Sequence, residues 1–75
     1  GAGNNYPEVY KSIEDVYGRD NVVYIAGMKN LKYIKPTLDH LKAENHRLIE
    51  VQDAGHFVQI DQPAAFYRDV LSFLN

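Results

Sequence analysis

His56 is the residue in this chain best placed to move a proton. It follows Asp53-Ala54-Gly55 and precedes Phe57, just past a short run, Arg47-Leu48-Ile49-Glu50-Val51, that reads as a β-strand. In open α/β sheets, ligands and catalytic groups gather at the carboxyl ends of strands. Gly55 lets the backbone turn tightly ahead of the ring. The loop from Gln52 to Gln62 then holds the ring between a strand and a helix, the support a general base needs. The competing reading is a partly buried histidine that hydrogen-bonds locally.

Other reactive types are less well placed. Ser12 and Ser72 both fall in helical patterns, and G-x-S-x-G, the turn that presents a nucleophilic serine, occurs nowhere. His40 and His46 lack the i, i+4 spacing of a helical metal pair, so they read as solvated surface histidines. Lys29, Lys32, Lys35 and Lys42 form a loose basic side interrupted by Asp39, which reads as a solvated face. Gly27-Met28-Lys29 lacks the dinucleotide fingerprint. Nothing here implies a cofactor.

The elements that must position His56 follow from periodicity. Pro7 suits a first helical position, and Val9, Ile13, Val16 and Tyr17 recur at helical spacing after it. Gly18 stands where a helix ends in a left-handed residue. Val22 to Ala26 is β-branched and aromatic without polar alternation, the habit of a strand buried on both faces. Gly27 to Asn30 is a turn. A second helix is expected to start near Pro36, carry Leu38 and Leu41 inward and end around Ala43 to Asn45. Arg47 to Val51 is the second strand, and Pro63 opens a last helix with Phe66, Val70, Leu71 and Leu74 on one stripe.

The order is α-β-α-β-α, an α/β fold with two parallel strands joined by a right-handed crossover. Residues 1–5 read as a tag or cut end, and residues 6–75 as one small α/β unit. Two parallel strands leave open edges and need cover on both faces. The Val22 strand lacks proline and an inward charge on its outer edge, so the unit reads as the end of a larger sheet or as one that associates with itself.

Composition bounds the functions. The chain has 75 residues and a net charge of 8 − 10 = −2, with 45% apolar and 24% charged residues. That is ordinary globular usage, though so short a chain buries only about 60% of its unfolded surface. A slight acidic excess with interspersed Lys and Arg argues against a nucleic-acid groove. The longest apolar run is far short of the roughly 20 residues of a membrane span. The absence of cysteine excludes disulfides and thiolate metal sites and leaves the compartment undecided.

From Val22 to Leu74 the sequence resembles the carboxyl-terminal end of an α/β-hydrolase. In that family a buried strand ends in G-x-x-D, a helix follows, and a last strand leads into a G-H dipeptide before a proline-led final helix. The corresponding stretches are Tyr24-Ile25-Ala26-Gly27-Met28-Lys29-Asn30, then Ala54-Gly55-His56-Phe57, then Asp61-Gln62-Pro63 and Ala64 to Leu74. The A-G-H-x-V-x-x-D-x-P pattern is also similar to serine carboxypeptidases, a branch that usually carries a longer insertion before the histidine and relies on disulfides. The resemblance implies that His56 is the catalytic general base, relaying a proton between a serine nucleophile and the leaving group.

Asn30 takes the position of the family's usual acid, without the carboxylate. Asp53 and Asp61, which flank His56, are expected to serve turn formation and helix capping. The implied activity is hydrolysis of an ester, thioester or peptide substrate by a complete enzyme. The implied partner is the remainder of the hydrolase domain, because the serine and the oxyanion loop are absent here. Two further readings stay open: a hydrolase-derived module that binds a partner through its open strand edge, and a free-standing small α/β binding domain.

Overall fold

In the computed structural model, which describes residues 6–75, the first helix, α1, spans Tyr6–Tyr17. The reading of residues 1–5 as a tag or cut end lies outside the described residues. Gly18 closes α1 in the left-handed region at φ 87°, and its N–H returns to the Glu14 carbonyl at 2.8 Å. A 3-10 turn, Arg19–Asn21, leads to strand β1, Tyr24–Gly27. A second 3-10 turn, Met28–Asn30, runs straight into α2, Leu31–Ala43. Strand β2 is Leu48–Val51, and the short helix α3 (Val58–Asp61) precedes α4 (Pro63–Leu74).

The strands form one two-stranded parallel sheet with Tyr24 opposite Leu48 and Gly27 opposite Val51. Residues of one parity face one side of a strand. Ile25, Ile49 and Val51 pack with Ala54 and Val58 against Ala65 and Phe66, so α3 and α4 cover that face. Tyr24, Ala26, Leu48 and Glu50 lie on the other, where Leu38 and Leu41 of α2 are buried and Lys42 pairs with Glu50 at 3.3 Å. The fully apolar reading of the first strand is thereby explained: helices lie on both faces.

Three details differ from the sequence expectation. Strand β1 starts at Tyr24, because the Arg19–Asn21 turn carries the chain up to the sheet and the first ladder bond is Tyr24 N–H to the Arg47 carbonyl at 2.9 Å. Helix α2 starts five residues before Pro36, which sits exposed inside it. Leu38 and Leu41 of α2 are buried, and that burial outweighs the one backbone bond proline removes. The loop after β2 coils into α3, giving an element the α-β-α-β-α order lacked.

Helix α1 departs most from its amphipathic pattern. Val9, Val16 and Tyr17 face solvent, and among residues 8–17 of the helix the buried one is Glu14. The Glu14 and His46 side chains are 8% and 7% exposed, and His46 Nδ1 bonds Glu14 Oε2. The Tyr24 hydroxyl donates to the same oxygen at 3.3 Å, and Arg19 Nε lies 3.7 Å from Oε1. A buried carboxylate must be paired, and here three elements supply its partners. Glu14→Ala is expected to cost about 1–3 kcal/mol by stranding buried donors, measurable as a lower urea midpoint with an unchanged slope.

Burial first, and then the Glu14 carboxylate, push the Tyr24 phenol from 10.0 up to about 12. The fold therefore favours the neutral phenol. This contribution to stability is complete below the unfolded value near 10 and is lost as the pH climbs from there to about 12. An alkaline titration of tyrosinate absorbance should show the Tyr24 phenol ionising at about 12, and Glu14→Gln should lower that value.

Candidate active site

Parallel strands present their carboxyl ends together, so the loop after Gly27 and the loop after Val51 lie side by side. The backbone fixes them in place: Lys29 N–H donates to the Ala54 carbonyl at 3.0 Å. Gly27 has no room for a side chain. A Cβ there would overlap the Gly55 carbonyl oxygen and lie 2.5 Å from that of Ala54. Ala54 is fully buried beneath this junction.

The histidine loop is tied down from the other side as well. Asp53 adopts the left-handed conformation at φ 58°, which Asp tolerates better than bulkier residues. Its carbonyl accepts from Gln62 Nε2 at 3.1 Å. The Gly55 N–H donates to Asp61 Oδ2 at 2.7 Å. Asp61 thus clasps the loop in front of His56 and does not cap the last helix, whose N-cap position is Gln62 without a side-chain bond. Asp53 keeps the turn role expected of it.

His56 is exposed just past the end of β2, its ring edge-on to Phe57 with centroids 4.8 Å apart. Asn30 is half-buried at the start of α2, and its side chain makes no cap bond. Its amide nitrogen lies 3.9 Å from where a Cβ on Gly55 would stand. Asn30 and His56 line one cavity of about 380 Å³, whose other walls include Ile25, Ile34, Leu38 and Leu41.

Among the described residues no hydrogen bond joins His56 to Asn30, Asp53 or Asp61. The ring is open to exchange a proton, but no carboxylate orients it or stabilises its cation. Ser12 and Ser72 are exposed on helices α1 and α4, and neither lines this cavity. The geometry holds the His56 ring at the end of β2, and among the described residues no serine reaches it.

The residues that sequence reasoning missed lie at the opposite end of the sheet. His46 is a buried partner of Glu14, in contrast to the solvated histidine expected, and His40 is half-buried with its ring 6.0 Å from that of His46. Both border an open cavity of about 750 Å³ lined also by Glu8, Lys11, Arg19 and Glu44. Glu14 and His46 are 32 positions apart, so no local spacing announces the pair. Among the described residues no three His, Cys, Asp or Glu side chains could hold a metal ion. The lysine side is solvated: Lys35 pairs with Asp39 at 2.8 Å, and Lys32 stands over the Tyr33 ring. No helix among the described residues is long and apolar enough to cross a membrane.

The chain matches no family model, no curated protein and no solved structure. The class defined by fold alone is therefore an α/β unit with a two-stranded parallel sheet between helices.

Proposed function

We propose that this chain is the carboxyl-terminal portion of a serine-type α/β-hydrolase, supplying His56 as the general base and inactive by itself. One observation carries the reading. The G-x-x-N loop after β1 and the A-G-H loop after β2 are joined backbone to backbone, and both border one cavity at the carboxyl ends of adjacent parallel strands. That is where a parallel sheet builds its chemistry. The clasp from Asp61 and the fit at Gly27 hold the base in place, as proton transfer requires. The substrate is an ester, thioester or peptide bound by the complete enzyme.

The test is labelling by a fluorophosphonate, which modifies activated serines. A protein that carries this segment together with an upstream G-x-S-x-G serine is expected to be labelled, and His56→Ala should abolish the labelling. The 75-residue chain alone should not react. Labelling that is indifferent to His56 would overturn the assignment. The amide in place of the acid favours a second reading, a hydrolase-derived module that binds a partner through the open edge of β1. An Asn30→Asp variant that leaves labelling unchanged supports that reading over the first.

A further inference from the structure

The cavity of about 380 Å³ that ends at His56 opens under α2, against Tyr24, Ala26 and Leu48 on that face of the sheet, and reaches past it. Val23, Tyr24, Ile25, Ala26 and Gly27 all line it. Side chains of five consecutive extended residues alternate between faces, so a cavity that meets all five extends from the α2 face to the outer edge of β1. Its other wall is a row on α2: Ile34, Thr37, Leu38 and Leu41, at i, i+3, i+4 and i+7. This is a groove between a strand edge and a helix, the form that takes an added strand.

Among the described residues the backbone of that edge is unpaired. Tyr24 N–H points to β2, where it meets the Arg47 carbonyl. In a parallel ladder the residues of the other parity direct their N–H and C=O away from that neighbour. Val23, Ile25 and Gly27 therefore present their polar groups to the groove. No Asp, Glu, Lys or Arg among the described residues lines the groove. A matching strand must then be extended, uncharged and β-branched or aromatic. Val22 to Ala26 is such a strand.

We propose that the groove is filled by β1 of a second copy of this chain, the two strands pairing antiparallel about a two-fold axis at Ile25. An isologous contact needs a surface that complements itself, and pairing the β1 edge with its own copy meets that condition. Ile25 then exchanges both backbone bonds with Ile25 of the copy, and Val23 does so with Gly27 of the copy. The two sheets become one four-stranded sheet. The register also carries Val23 of the copy to the end of the groove where Asn30 and His56 stand, so each copy walls the other's candidate site. The inference rests on the open-edge reading, in which no further strand of a larger sheet covers β1, and is independent of the chemistry assigned to His56.

Sedimentation velocity of the 75-residue chain across the micromolar range tests it, with amide exchange followed by NMR. A concentration-dependent dimer is expected, with the Ile25 amide protected as strongly as those of Tyr24 and Ala26. Val23→Pro removes one outward N–H and leaves the ladder to β2 intact, and Val22 is already extended at φ −125° and ψ 133°, as a residue before proline must be. Thr37→Lys places a charge in the groove from the other wall. Each should reduce dimer affinity at least tenfold with an unchanged circular dichroism spectrum, and with the parent's melting temperature at concentrations where the parent is monomeric.

A monomer throughout, with the Ile25 amide exchanging freely, overturns the second copy while leaving the edge open. A monomer with that amide protected overturns the open-edge reading as well. A dimer unaffected by either well-folded variant places the contact on another surface and overturns the pairing.

Discussion

In the enzyme proposed above, replacing His56 with alanine is expected to lower kcat by several orders of magnitude while the fold stays intact. The magnitude follows from its role. A general base that also returns the proton acts in both halves of acyl transfer, and what survives its loss is the contribution of oxyanion binding and substrate positioning. The fold is spared because the ring is exposed and packs only edge-on against Phe57. The clasp on this loop runs through the Gly55 N–H and the Asp53 carbonyl, neither of which the substitution touches. Ester turnover at saturating substrate and circular dichroism of the same preparation measure the two halves. A loss below about tenfold in a folded protein returns His56 to a local structural role.

Gly27→Ala is expected to unfold the isolated chain. Its Cβ would overlap the Gly55 carbonyl oxygen and stand 2.9 Å from the Ala54 carbonyl carbon, and these are backbone atoms that no rotamer change can move. The strand end or the histidine loop must shift, breaking the bond from Lys29 N–H to Ala54. The shift would also disturb the small core of Val51, Ala54 and Val58 below. The cost is about 3 kcal/mol or more, a large part of the margin of so short a domain. Gly55→Ala is the internal control. Its Cβ would meet the Asp61 carboxylate at 3.0 Å, a side chain that can swing aside, so a loss near 1 kcal/mol is expected. Thermal melts of the two variants should differ by many degrees. A Gly27→Ala protein melting within a few degrees of the parent would mean that the two loops are not joined as described.

How much of this could be read from the chain alone depended on the range of the forces involved. Local signals did well. The unbroken apolar run of Val22 to Ala26 marked a strand covered on both faces, and Gly18 marked a left-handed helix end, because both are dictated by a few neighbouring residues. Pro63 marked the start of α4 for the same reason. The parallel pairing followed from a strand, helix and strand of the right lengths. The adjacency of Asn30 and His56 followed in turn, since parallel strands end on the same side.

Tertiary structure decided the rest, because burial is a property of the assembled surface. Helix α1 carries an apolar stripe that its sequence would turn inward. The helix instead turns Glu14 inward, since one carboxylate paired with His46, Tyr24 and Arg19 fixes the helix more specifically than Val9 or Val16 could. Pro36 signalled a start for α2 that the burial of Leu38 and Leu41 overrode. Gly27 read as a turn glycine, and its requirement comes from a backbone more than twenty residues further along the chain. The groove beside β1 belongs to no segment at all. It exists because a helix row and a strand edge meet, and sequence separation says nothing about such a meeting.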